Sequence, residues 1–160
     1  MQTTGLTYSG SLIVTYKNKK FITHNNGTKN LFHLLTKVLC NEEYSRKDLP
    51  DYFYLLSSSV NDVLNKPNTN DHTNILRFGI EISKQSKITD DGKYTVEFIG
   101  ALTSGNLLNT VTDYTNLTLA LVSANKESIL AAVEFSIHSF NIVKSGGQAQ
   151  LKWVMTIENK

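Results

Sequence analysis

The sequence predicts a mainly β protein, an antiparallel β-sandwich or jelly-roll-like barrel of about eight strands, carrying one amphipathic helix over about residues 29–40. Three observations lead there. Apolar residues recur with period two in run after run. The runs are separated by clusters of Asn, Asp, Gly and Ser rather than by helical patterns. Only one stretch, "TKNLFHLLTKVLC", repeats with the period of a helix.

The elements follow in order. In "SLIVTYK" Leu12, Val14 and Tyr16 alternate with Ile13 and Thr15, and "KFITH" follows the polar Lys17-Asn18-Lys19-Lys20, which reads as a hairpin. Asn26-Gly27 supplies a turn and Thr28 a cap for the helix, whose Leu31, Leu34, Leu35, Val38 and Leu39 fall on one stripe. "NEEYSRKDLPD" is a polar connector. "YFYLLSSS" is apolar on both parities, as a strand covered on both faces should be. Asn61 to Asn74, around Pro67, forms a long surface loop with room for one helical turn.

Leu76, Phe78, Ile80 and Ile82 share one parity. The Asp90-Asp91-Gly92 turn then links that strand to "KYTVEFIG" as a hairpin. Thr103 to Asn116 is a second polar loop, and "LTLALVSA" turns through Asn125-Lys126-Glu127 into a strand with Ile129, Ala131, Val133, Phe135 and Ile137 in phase. Phe140 and Ile142 take the opposite phase, which predicts a β-bulge or strand break near His138-Ser139. After Ser145-Gly146-Gly147, Leu151, Trp153, Met155 and Ile157 alternate to the end. In this arrangement the helix packs over an open end or sheet edge and protects unpaired backbone.

At 160 residues the chain is expected to be one domain, 1–160, able to bury roughly 70% of its unfolded surface. Its 40% hydrophobic and 19% charged content is globular. Sixteen basic against fourteen acidic side chains, a net charge of +2, point to neither nucleic acid nor an anionic membrane as partner. The single cysteine, Cys40, excludes an internal disulfide framework and a cysteine zinc site, and is read as a small buried hydrophobe. "MQTTGLTYSGS" lacks the pattern of an export signal, so the Asn26-Gly27-Thr28 and Asn116-Leu117-Thr118 sequons are read as silent.

The candidate chemistry is thin. His24, His33, His72 and His138 show no metal-ligand spacing and are read as loop or surface residues. Asp90-Asp91 are turn formers rather than an acid–base pair. No phosphate loop or nucleophile elbow occurs. The reading is therefore of a protein that is not an enzyme, with no catalytic residue, cofactor or metal. Tyr52, Tyr54, Tyr94, Tyr114 and Trp153 could form a stacking platform for a glycan, although all but Tyr114 lie in strands where core or edge packing is the usual fate. Long uncharged loops on a charge-poor β scaffold suit burial between subunits.

"THNNGTKNLFHLLTKVL", "LPDYFYLLSSS" and "QLKWVMTIENK" together resemble a class of small structural proteins of tailed bacteriophages: an N-terminal hairpin, an Asn-x-Gly-Thr entry into a leucine-rich helix, a strand after a proline, and a closing strand around a tryptophan. The resemblance covers most of the chain in order and matches no single family; the loop from Asn61 to Asn74 departs from it. It implies a tail, neck or capsid-surface component of the virion, assembled in the bacterial host cytoplasm, with a homo-oligomer and other virion proteins as partners. A carbohydrate- or receptor-binding β-sandwich is the alternative. The expected interface elements are the Asn61–Asn74 and Thr103–Asn116 loops and the terminal segments, which could add a strand to a neighbour.

Overall fold

A computed structural model describes residues 6–17, 19–40, 42–43, 45–89, 91, 93–103 and 116–159. Nine strands are present among them: β1 (Leu6–Tyr16), β2 (Lys19–Gly27), β3 (Pro50–Leu56), β4 (Ile75–Glu81), β5 (Ser83–Ile88), β6 (Tyr94–Thr103), β7 (Thr118–Ser123), β8 (Ile129–Glu134) and β9 (Gln148–Asn159). The helices are α1 (Lys29–Leu39), α2 (Val60–Asn65) and α3 (Ile137–Lys144). The ladder order is β4-β3-β7-β8-β2-β1-β9-β6-β5, with every pairing antiparallel.

The ladder folds back on itself at β2. Its first part pairs with β1, from Lys19↔Tyr16 to Asn25↔Gly10, and its last two residues, Asn26 and Gly27, pair with Ala132 and Ala131 of β8. One strand thus belongs to two five-stranded sheets, β2-β1-β9-β6-β5 (sheet A) and β2-β8-β7-β3-β4 (sheet B). At the far corner β4 runs into β5 across Ile82 alone. There Gly100 of β6 lets the sheets close: a Cβ would stand 3.1 Å from Phe53 Cδ2 and 3.2 Å from the Glu81 carbonyl oxygen. The predicted β-sandwich is the observed one.

Alternation decides what fills it. Leu12, Trp153 and Phe98 face one another along one row of sheet A, and Val14, Leu151 and Gly100 along the next. Trp153 is fully buried and stacks on Phe53 of sheet B at 5.9 Å between ring centroids. Sheet B contributes Leu119, Leu121, Ala131 and Val133 to the same core. A register shift between Leu121 and Val122 turns Leu130 inward beside Ala131.

Two helices close the ends. α1 leaves β2 beside the start of β8 and inserts Leu31 and Leu34 into the main core; burying each stabilises by about 1.5–3 kcal/mol. α3 leaves the other end of β8 and inserts Phe140 and Val143. The helix expected over 29–40 therefore spans an open end. Leu35 packs partly buried against the same core, whereas Val38, farther along the stripe, is 42% exposed.

Several local readings are corrected. Asn26-Gly27 is strand, not turn. Thr28 occupies the cap position without capping: its buried hydroxyl donates to the Ile129 carbonyl at 2.6 Å and the Leu130 carbonyl at 3.1 Å. The strand paired to β6 ahead of the Asp90-Asp91-Gly92 turn is β5, "SKQSKI", a run exposed throughout that hydrophobic pattern could not reveal; β4 pairs with β3. Asp90 and Gly92 lie outside the described residues. The strand break expected near His138-Ser139 is observed; what the sequence reading did not include is the helix α3 that fills it, with the Ser136 hydroxyl accepting from the Ser139 N–H. Cys40 is exposed.

Candidate functional site

The two sheets differ on their outer faces. Sheet B is roofed by α2 and the chain after it, so that Tyr54, Leu56, Ala120, Val122, Ile129 and Ala132 form a second core with Val63. This explains the double burial read from "YFYLLSSS". Sheet A carries no such cover among the described residues. Across it runs the row Ile22–Ile13–Lys152–Ile99, set by the ladder register, and beside it His24–Ser11–Val154–Glu97. Ile22 is 62% exposed, Ile13, Ile99 and Val154 are half-buried, and Thr95 and Glu97 on the same side of β6 are buried.

The remaining side chains of this face are mostly Ser, Thr and Gln, with few charges. Lys20 and Lys152 stand on it. The Lys87 ammonium lies 3.3 Å from Glu97 Oε1 and 3.2 Å from Oε2, so the buried carboxylate is held by an ion pair, with only the Oε1 contact having hydrogen-bond geometry. A flat, β-branched surface bearing few charges can be covered by another protein at little desolvation cost. The signal was present in the sequence: Ile13, Ile22 and Ile99 are apolar residues on the parity opposite the core.

The Asn61–Asn74 segment is a built wall. Pro67 O accepts from Ile129 N–H at 2.9 Å and from Asn30 Nδ2 at 2.8 Å, and Thr69 N–H donates to Glu127 O at 2.8 Å. His72, expected in a loop or at the surface, lies in the connection before β4 but is buried there: Nε2 donates to Lys66 O at 2.7 Å, and Nδ1 lies 3.7 Å from Asp62. Its ring joins the two ends of the turn that follows α2, and a role visible only in three dimensions left no mark in the spacing. Burial, with the neighbouring Tyr52 adding, pushes the Tyr54 phenol up from its ordinary value.

The other expected candidates are scattered. His24 is exposed on β2, His138 meets Phe21 edge-on at 5.8 Å, and His33 lines a hollow of about 110 Å³ with Asp48 and Lys37. The Thr89 hydroxyl, then Lys93, holds the exposed Asp91 carboxyl below its usual range. Of the aromatic residues, Tyr54 and Trp153 are buried, Tyr52 is half-buried beneath Lys126 at 5.0 Å, and Tyr94 is 62% exposed. Tyr114 and most of the Thr103–Asn116 loop lie outside the described residues. Of the terminal segments, β1 and β9 are not spare strands, since β1 lies between β2 and β9, and β9 between β1 and β6; residues 1–5 lie outside the described residues. Among the described residues no group of three or more His, Cys, Asp or Glu is placed to hold a metal ion. Comparison with protein-family models, with curated proteins and with solved structures finds no match in any of the three.

Proposed function

We propose that this protein is a non-enzymatic structural subunit of a tailed-phage virion, in the tail, neck or capsid surface, that works by self-association and by docking on neighbouring virion proteins. The virion setting rests on the sequence resemblance. The mechanism rests on one observation, the Ile22–Ile13–Lys152–Ile99 face of sheet A, which carries no helix or second core among the described residues, beside a sheet B roofed by α2. Five strands about 4.8 Å apart and four alternate rows give that face roughly 500 Å², and two such faces just reach the ~1,000 Å² of a specific contact.

Light scattering of the purified protein across a concentration range, at two salt levels, tests the reading. A discrete oligomer or growth into rings or tubes is expected, and Ile22→Lys should weaken it without lowering the melting temperature, because Ile22 is 62% exposed. A strict monomer at every concentration, or association that ignores Ile22→Lys, would remove sheet A from the mechanism.

A further inference from the structure

On the other side of the molecule, between β3 and the chain after α2, lies a hollow of about 350 Å³. Tyr54 and Ile75 line it with Thr69, Asn70 and Thr73, and Lys126 is the one lysine or arginine among its lining residues. His72 also lines it, but both ring nitrogens are turned toward Lys66 O and Asp62, so the ring is wall rather than ligand group. No carboxylate lines the hollow; Asp62 sits behind His72, and Asp71 and Glu127 are exposed chain neighbours of lining residues.

The hollow is pre-formed. The Thr69 hydroxyl donates to Lys126 O at 2.6 Å, Asn68 bridges to Ser128, and Asn68 Oδ1 accepts from Asn70 N–H at 2.9 Å. Walls tied this way lose little freedom when a ligand enters. Lys126 sits at φ 65°, its ammonium 5.0 Å over the ring of Tyr52, a residue outside the lining, so a ligand would draw it across from that ring.

We propose that this hollow binds a carboxylated monosaccharide, its carboxylate at Lys126 and its hydroxyls at Asn70 and Thr73. A lone cation in a lining without carboxylates selects one negative charge. Neutral amide and hydroxyl groups around an apolar floor suit a ring that alternates C–H and O–H. The volume lies at the small end of the ~300–1,000 Å³ of ligand pockets, enough for one sugar ring. The inference is independent of the assembly reading, since it concerns the opposite face.

Titration of ¹⁵N-labelled full-length protein with methyl glucuronoside, methyl glucoside and inorganic phosphate, followed by amide shifts, tests it. The glucuronoside should saturate with a Kd near ~1 mM and move Asn70, Thr73 and Lys126, and the neutral glucoside should bind about tenfold more weakly. Lys126→Asn keeps a residue type that tolerates positive φ, and should reduce the glucuronoside to the glucoside's affinity. Asn70→Ala, at an exposed side chain, should weaken both sugars. No saturable shift, equal binding of the two sugars, insensitivity to both variants, or equal competition by phosphate would each overturn the proposal, the last by leaving a plain anion site.

Discussion

Thr28 separates two accounts of how the first helix begins. As a conventional cap it would accept from backbone N–H groups of the first turn, and Asp or Asn would serve as well or better. In the structure it does the reverse: the hydroxyl, 2% exposed, donates to the carbonyl oxygens of Ile129 and Leu130, and its own N–H donates to Leu130 O at 2.9 Å. Thr28→Val preserves shape and removes the donor, leaving a buried carbonyl short of a partner, which costs about 1–3 kcal/mol. For a chain of this length each kcal/mol moves Tm by about 2–4 °C, so a fall of about 2–12 °C is expected. Thr28→Asp, neutral for a cap, would place a carboxylate against two carbonyl oxygens in a buried site and should cost more than Thr28→Val. Thermal melts of wild type, Thr28→Ser, Thr28→Val and Thr28→Asp give the ranking. Serine near wild type and aspartate worst fits the structure; aspartate equal to or better than threonine refutes it.

Two further outcomes concern the core. Trp153→Ala should cost about 3–5 kcal/mol of a total near ~5–15, and deletion of 153–160, which strips β9 from between β1 and β6, should abolish cooperative melting; a sharp transition in the truncated chain would contradict the placement of β9. The buried Tyr54 phenol keeps its proton when the unfolded chain's tyrosines begin to lose theirs. Its contribution is therefore complete below the ordinary value of 10.0 and is lost as pH rises through the raised folded value. Melts from about pH 9 to about pH 11 should show a shallower alkaline loss for Tyr54→Phe than for wild type, and identical slopes would place Tyr54 in contact with solvent.

The fold was legible where burial leaves a period. Leu12, Val14, Leu151 and Trp153 alternate because their neighbours face outward, and the β1–β2 hairpin follows from the same pattern. β5 was invisible because all six of its residues are exposed, so nothing repeats; only its ladder to β6 makes it a strand. α3 was misread because Phe140 and Val143 are three residues apart, a spacing that eight residues of helix express too briefly to separate from a slipped strand. Thr28 was assigned to the correct position and the wrong partner, since the carbonyls it meets lie about a hundred residues along the chain.

The candidate face was harder to read for a different reason. Period two identifies the side of a strand that points inward, but whether the other side meets water, a helix or a second protein depends on segments far away in sequence. Residue size carries part of that information. The outward positions of β7 and β8 under α2 include Ala120 and Ala132, directly opposite one another, and small side chains let Val63 approach the sheet. The outward positions of sheet A include Ile13, Ile22, Ile99 and Val154, interleaved with serines and threonines and with Lys20, His24, Lys152 and the Lys87–Glu97 pair, and its β-branched and hydroxyl side chains suit a pleated surface in partial contact with water. A helix resting on that face would meet branched side chains standing clear of the sheet. Another β surface could interleave with them row by row, which is the packing the proposed self-association calls for.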